Sequence, residues 1–502
     1  MLKKIQNRIL PMLDTLGEAI GQYLALPSDG MLDDIALFID AITAPLKDES
    51  SDIVSLSEKL MTSLLSPAHD TVEPVYVDFC ETVVALPTQY KVVFLPYYDN
   101  TWDSLKSVYE AFTADPMFVT EIVIIPIKRN TPTGDKHVYN DYLTPQGIPN
   151  THYDKYDFEI DKPDVVFYNQ PYDGVNYPKF QSHNIKPHAG LMVYVPYYLF
   201  RRGPINTAEE QRFLDSHTQL PGHNNADIIV AQGQSFYKSY ANRSKNGKKL
   251  VVLGNPKCDN IYRNMQDYPR YPEWDQATEG RTVFLLNTHY TTVTDGTYRR
   301  FMPYLLDVIE QNEDAALIWR PHPQSFLMFG EGEQKRQNDD FNGFLARVAD
   351  HPRMILDRTA SNVSAIMYCS AVMSQPSSVI GESIFADKPV FLLYGNPNEM
   401  LPDGISYEES VKRLARVRRS EIENKSLFSA VEYYGYDESM QRDVLADAYF
   451  EQLPLLNFIT EIRGGTDSKK QKRGVFREQT FKNLDGTCGK SIHTYIENLI
   501  NK

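Results

Sequence analysis

The sequence predicts an α/β protein in which two Rossmann-like parallel sheets face each other across a cleft, behind an N-terminal block of helices. Three observations predict it. Between residues 90 and 395, short apolar runs rich in β-branched residues alternate with helical stretches, the pattern of parallel strands buried on both faces. A polar stretch containing Pro269 and Pro272 divides this series into two sets. The length, 502 residues, is more than one hydrophobic core fills, so two or three domains are expected.

The helical block comes first and spans 1–88. Ile5, Ile9, Leu10, Leu13, Leu16 and Ile20 recur at helical spacing, as do Leu32, Ile35, Leu37, Phe38 and Ile42, and 51–65 forms a third helical stretch. The first α/β set, 89–270, has strands expected at 91–95, 121–125, 164–168, 191–195, 227–231 and 250–253. The connection 128–156 is long for a compact domain, and connections of that length usually carry function or mobility. Residues 267–281 read as a linker. The second set, 271–462, has strands expected at 282–286, 315–319, 354–356, 371–373 and 390–394, followed by a largely helical stretch, 405–460. In the tail, 463–502, Lys469, Lys470, Lys472 and Arg473 mark an exposed basic loop, and a last helix at 490–500 is expected to pack back across the cleft.

Composition narrows the class. With 51 basic and 66 acidic residues the net charge is −15, which argues against a general nucleic-acid binder. Cys80, Cys258, Cys369 and Cys488 are scattered without metal-ligand spacing, so neither a disulfide framework nor a zinc site is expected, and a reducing compartment is. Gln6, Asn7, Asp14 and Glu18 interrupt any apolar leader, and no window is apolar enough to span a bilayer. The expected location is the cytoplasm. The basic run 412–419 would suit anionic lipid if helical, although a solvated helix face is the plainer reading.

Ligands in open α/β sheets sit at the carboxyl ends of the strands. Two such ends in the second set stand out. One is Arg320-Pro321-His322-Pro323, where the flanking prolines hold a histidine rigidly beside an arginine that suits a phosphate in bidentate fashion. The other is Ser377-Ser378 at a helix start, with Gly381 and Glu382 about one turn on. A helix N-terminus favours phosphate, and serine hydroxyls add donors. The plain alternatives are a structural loop histidine and an ordinary N-cap with an exposed glutamate. His289 or Thr288, after the first strand of this set, is placed to touch the nucleotide or the acceptor. Gly254-Asn255-Pro256-Lys257-Cys258-Asp259 reads first as a structural turn, with Asp259 capping the following helix and Lys257 offering a phosphate contact. Together these residues are equipment for a nucleoside diphosphate.

The set Gly254-x-Pro256-Lys257-x-Asp259, Arg320-x-His322-Pro323, Ser377-Ser378 and Asp387-Lys388-Pro389 resembles the CDP-glycerol glycerophosphotransferase family, which includes teichoic-acid primases and polymerases. The resemblance is clearest over 250–395 and implies a GT-B fold. It also implies a CDP-glycerol or CDP-ribitol donor and peripheral contact with the cytoplasmic membrane face. His322, Ser377 and Ser378 would meet the diphosphate, Glu382 the ribose, and the first α/β set the acceptor. No further cofactor and no metal are expected.

Two departures matter. The Asp-Tyr that precedes the serine pair in the family is Gln375-Pro376 here. The family's Trp-His-Gly, whose histidine suits the role of base, has no counterpart where Val193 to Tyr198 close their strand. An alcohol attacking an activated diphosphate needs a proton acceptor nearby. Asp99, Asp173, Tyr197, Tyr198 and His152 are the candidates, with Asp173 and His152 favoured. The expected function is transfer of glycerophosphate, or a related polyol phosphate, from a CDP-activated donor to a hydroxyl of a glycan or teichoic-acid-like precursor. The alternatives are a sugar-nucleotide glycosyltransferase or epimerase of the same architecture, and a non-catalytic nucleotide- or polymer-binding member of a surface-glycan assembly.

Overall fold

The computed structural model describes residues 1–97, 99–131, 134–138, 148–199, 218–290, 298–326, 339–359, 361–375, 377–393, 432–433 and 452–501. The basic run 412–419 and most of the helical stretch expected at 405–460 lie outside them. The N-terminal block contains four helices: α1 (Lys3–Ala25), α2 (Asp29–Thr43), α3 (Ser51–Leu65) and α4 (Val72–Val84). Each turns one stripe inward. Ile9, Leu16, Ile35, Ile42, Ile53, Leu60, Phe79 and Val83 form a core separate from those of the sheets.

The first sheet has the order β2-β1-β5-β6-β7-β8. In chain order its neighbourhood contains β1 (Tyr90–Leu95), helix α5 (Lys106–Thr113), β2 (Phe118–Ile122), a hairpin of β3 (Ile127–Thr131) and β4 (Gly134–Val138), β5 (Val165–Tyr168), helix α6 (Ser182–Ile185), β6 (Leu191–Tyr194), β7 (Ile228–Ala231) and β8 (Leu250–Val252). All pairings within this sheet are parallel. Helix α7 (Lys257–Gln266) leaves it. The second sheet has the order β11-β10-β9-β12-β13-β14, from β9 (Thr282–Thr288), β10 (Ala315–Pro321), β11 (Met354–Leu356), β12 (Ala371–Ser374), helix α8 (Ser378–Phe385), β13 (Val390–Leu392) and β14 (Glu432–Tyr433). The central strands are buried along almost their whole length, which is why they read as unbroken apolar runs rather than alternating ones. In both sheets the first strand lies inside the sheet and later strands are added on either side of it. The chain therefore reverses its direction of growth, and a ligand crevice is expected beyond the carboxyl ends there.

Several expectations shift. The strand expected at 121–125 is β2 at Phe118–Ile122; Val123 instead bridges Thr151 in the chain's return. The long connection carries the β3–β4 hairpin, whose alternating polar residues gave no apolar signal. Inside the expected linker, Pro272–Thr278 is a helix that starts on its proline and buries Trp274 in the core of the second sheet. The expected basic loop is helical from Lys470 to Thr480. Its Arg473, 1% exposed, is held by Asp467 and Asp387. Beyond it the chain crosses to the first sheet as α9 (Cys488–Ile500), which buries Ile492 and Ile496 among the residues of β1, β5 and α5.

Candidate functional site

The carboxyl ends of β9, β10 and β12 and the start of α8 meet at one place. Their side chains are tied together from below. Asn287, at the end of β9, donates to Ser374 Oγ and to Ser377 Oγ, each at 3.0 Å. Gln375 Oε1 accepts from the His289 backbone N–H at 2.7 Å, and Trp319 Nε1 donates to Thr288 Oγ1 at 3.1 Å. The His322 backbone N–H donates to the Thr288 carbonyl at 2.9 Å. Gln375, where the family pattern has aspartate, thus holds the backbone of His289 with a neutral amide.

Two histidines stand on this floor. The rings of His289 and His322 are 5.2 Å apart, and Tyr290 packs against both, at 4.4 and 5.2 Å. Burial lowers the pKa of His289. Burial first, then His289 and the charge of Arg320, lower that of His322 to about 4. At neutral pH His322 is therefore an uncharged imidazole that offers one N–H, rather than a cation. Beside it, Ser377 is the extended N-cap of α8 (φ −153°, ψ 171°), but its hydroxyl is held by Asn287 and Ser374 and makes no capping bond. Among the described residues no side chain caps the first turn of α8, whose amides and partial positive charge are therefore available to another acceptor. Ser378 is exposed at the first helical position. His322, His289, Ser377 and Ser378 are thus brought together.

Three other expected ligands are occupied internally. Arg320 donates through Nη1 to Asp357 Oδ2 at 2.5 Å and through Nη2 to the Thr359 carbonyl at 2.9 Å, so two of its nitrogens brace β10 against the segment after β11. Glu382 is not open to a ribose: its side chain is fully buried, with Oε2 accepting from Asn362 Nδ2 at 2.6 Å and Oε1 2.7 Å from Lys257 Nζ. Lys257 is therefore not a phosphate contact here. It heads α7 and clasps the first half of the molecule to α8. Burial alone would lower its pKa, but the Glu382 carboxylate outweighs this and raises it.

The same junction explains the Gly254 turn. Gly254 has φ +88°, and a Cβ on it would meet Cys488 Sγ at 2.4 Å. Asn255 Nδ2 donates to the Pro196 and Tyr198 carbonyls, at 2.9 and 3.2 Å. Leu199, next in the chain, packs on α8 where a Cβ at Gly381 would come within 3.1 Å of it. The close approach that Gly381 permits is thus by the first half of the protein. Asp259 does not cap its own helix. It accepts from the Cys488 and Gly489 backbone N–H groups, at 2.9 and 2.8 Å, and from Ser107 Oγ at 2.7 Å, so it caps α9 and ties it to α5.

Both favoured bases of the first half have local duties. Asp173, 6% exposed, accepts from Ser182 N at 2.9 Å and Ser182 Oγ at 2.7 Å, which caps α6 instead of facing the cleft. His152 lies in the return after β2, where Nδ1 accepts from the Asp154 backbone N–H at 3.3 Å and the ring lies on Tyr153. Several tyrosines follow the carboxyl ends of the first sheet: Tyr97 after β1, Tyr172 after β5, and Tyr197 and Tyr198 after β6. In the sequence, Tyr197 and Tyr198 stand out only as candidate bases and Gln375 only as a departure from the family pattern; Asn287, Tyr97 and Tyr172 carry no local signal and were missed.

No protein-family model matches the chain, and no curated protein matches it. Solved structures do. A Listeria monocytogenes protein described as a UDP-N-acetylglucosamine 2-epimerase aligns over 82% of this chain and 97% of its own, with a TM-score of 0.52 and 12% identity. The S. aureus MnaA–UDP complex aligns over the same shares, with a TM-score of 0.51 and 12% identity. The fold is GT-B. The wall teichoic acid polymerase TagF also aligns, over 90% of this chain and 98% of its own, at a TM-score of 0.45 and 12% identity. Among the described residues no helix is long and apolar enough to cross a membrane. The histidine pair and the α8 N-terminus thus lie at the carboxyl ends of the second sheet, and the tyrosines at those of the first.

Proposed function

We propose that this chain is a GT-B enzyme that takes a nucleoside-diphosphate-activated small molecule on the second sheet and transfers part of it to an acceptor on the first. The observation that carries the reading is the uncapped N-terminus of α8 beside the His289–His322 pair. Backbone amides and neutral imidazole N–H groups suit a diphosphate, which brings its own charge. The donor we favour is CDP-glycerol or a related CDP-polyol, because the residues assembled here, His322, Ser377 and Ser378, belong to the motifs shared with CDP-glycerol glycerophosphotransferases. An acceptor hydroxyl would attack the phosphorus that bears the polyol. The P–O bond of the diphosphate bridge breaks, CMP leaves with the electron pair, and the acceptor proton passes to a base or to water. A glycan or polyol-phosphate precursor at the inner membrane face is the acceptor class that goes with this donor.

A second reading, a UDP-sugar epimerase, is favoured by the likeness to UDP-N-acetylglucosamine 2-epimerases over 82% of the chain. Calorimetric titration with CDP-glycerol, CDP-ribitol, UDP-N-acetylglucosamine and CMP separates the two. Cytidine nucleotides alone should bind, and His322→Ala should weaken them. A uridine preference would overturn the transfer reading in favour of the epimerase. No binding by any of the four would leave a non-catalytic member of a surface-glycan assembly.

A further inference from the structure

Three strand ends of the first sheet deliver tyrosines to one patch. The Tyr97 and Tyr197 rings are 6.0 Å apart at 84°, and those of Tyr197 and Tyr198 are 5.2 Å apart at 83°. The Tyr197 hydroxyl lies within hydrogen-bonding reach of those of Tyr172 and Tyr97. Tyr172, Tyr197 and Tyr198 are half-buried, each with part of its surface open. The patch is fixed to the second half of the molecule by its own backbone, since Asn255 holds the Tyr198 carbonyl and Leu199 sits on α8 at Gly381. It therefore lies beside the helix that begins with Ser377 and Ser378.

Behind Tyr198 is a small cavity lined also by Tyr194, Pro196, His223 and Tyr240. The Tyr194 hydroxyl, on a residue 1% exposed, is buried with no hydrogen-bond partner among the described residues. A buried phenol without an acceptor is unfavourable, and a ligand hydroxyl or a water in the cavity would satisfy it. Burial first, then Tyr172, pushes the Tyr197 pKa up to about 12, and burial raises those of Tyr194 and Tyr198. None of the three is a phenolate near pH 7, so the patch recognises its ligand without acting as a base.

We infer that this patch is the seat of a carbohydrate ring on the acceptor, so that the acceptor is a sugar rather than an open-chain polyol phosphate. The inference rests on the cleft reading above for its assignment of the acceptor to the first sheet. Its chemistry is that of a pyranose, which has an apolar C–H face and a rim of hydroxyls. Tyrosine offers the complement: a rigid ring to lie against, a polar tip to bond with, and few rotatable bonds to immobilise. The tyrosines reach the patch from β1, β5 and β6, so their arrangement is set by the sheet.

The test uses the full-length protein. Saturation-transfer NMR is recorded with methyl β-N-acetylglucosaminide, methyl α-glucoside and glycerol 3-phosphate, and CDP and UDP are titrated separately by calorimetry. A pyranoside should show saturation of its ring protons, and glycerol 3-phosphate should not displace it. Tyr197→Ala and Tyr172→Ala should each weaken pyranoside binding about tenfold or more, while nucleotide affinity stays within about twofold. If these variants fold poorly, Tyr197→Phe and fluorotyrosine-labelled wild type replace them. The labelled Tyr172, Tyr197 and Tyr198 signals should then move with pyranoside and not with CDP. Saturation by neither pyranoside, displacement by glycerol 3-phosphate, or unchanged binding in the tyrosine variants would each overturn the inference. Pyranoside binding without nucleotide binding would uphold the patch and sink the donor reading, so the two failures are distinguishable.

Discussion

The Lys257–Glu382 clasp is the sharpest quantitative consequence of the junction. Glu382 is fully buried and Lys257 is 11% exposed, with 2.7 Å between nitrogen and oxygen. Lys257→Met would strand the carboxylate with only Asn362 Nδ2, 2.6 Å from its other oxygen. Breaking a buried pair from one side costs about 3–5 kcal/mol, because the surviving charge has lost both water and partner. Replacing both members, Lys257→Met with Glu382→Leu, removes the charges together. What remains is the amide of Asn362 without its acceptor, a loss of about 1–2 kcal/mol. The double variant should therefore be more stable than the Lys257→Met single, with a coupling energy of about 2 kcal/mol or more. The folded-state pKa of Lys257 is raised, so its contribution is complete below the unfolded value near 10.4 and is lost only as pH climbs through the folded one. The cost should thus be the same at about pH 6 and pH 9. Urea unfolding of the wild type, the Lys257→Met and Glu382→Leu singles and the double variant, with hydrogen exchange at α7 and α8, measures it. The exchange data matter because two sheets need not unfold together. A single-variant cost below about 1 kcal/mol, or strictly additive effects, would refute the clasp.

Asp259→Ala removes the acceptor shared by Ser107, Cys488 and Gly489. It should cost about 3 kcal/mol or more and speed exchange at the first turn of α9 before that of β9; uniform exchange would contradict the cap. Asp173→Ala should cost about 1–2 kcal/mol through the lost cap on α6 and leave turnover intact, whereas a hundredfold loss of turnover in folded protein would make Asp173 the base after all. His322 has a folded pKa of about 4, below its unfolded value near 6.5. Its neutral form is therefore favoured by folding, and its contribution to stability is lost as pH falls through that window. His322→Asn should flatten the stability curve between pH 4 and 6.5, and an unchanged slope would refute the assignment. A bound diphosphate should raise the His322 pKa, seen as proton uptake when CDP is titrated near pH 5 and as none if the imidazole does not meet the phosphates.

The fold was legible because parallel strands buried on both faces have little choice of composition. Val92 to Leu95, Val165 to Phe167 and Ala315 to Trp319 are buried throughout, and each announces itself as an apolar run. Where burial is one-sided the signal fails. β2 is an edge strand with Val119 exposed, and the reading slipped toward the more apolar 122–125. The candidate site was legible by position and not by role. Strand ends at His289 and His322 and the helix start at Ser377 could be placed from local pattern. Partners distant in the chain could not: Asp259 finds Cys488 and Gly489 at the far end of the sequence, and Lys257 finds Glu382 across the junction.

That failure has a direction. A sequence displays charges openly, and charges beside a suspected phosphate site invite assignment to the ligand. Desolvation works against this. A charge near a packed junction must find a counter-charge or lose several kcal/mol, so those most deeply placed are the ones most completely used up by the protein. Arg320 with Asp357, Lys257 with Glu382, and Arg473 with Asp467 and Asp387 all follow this rule. Neutral donors are cheaper to bury and to hold partly open, so under the proposed function recognition falls to them: Asn287 and Gln375 tie the floor together, and His289 and His322 stand on it. On that proposal, the ligand's charge is left to backbone amides and a helix end. Discrimination between donors then lies in the shape and hydrogen bonding of the base and the polyol, which is why nucleotide identity, rather than affinity for phosphate, is the measurement that decides among the transferase, epimerase and binding readings.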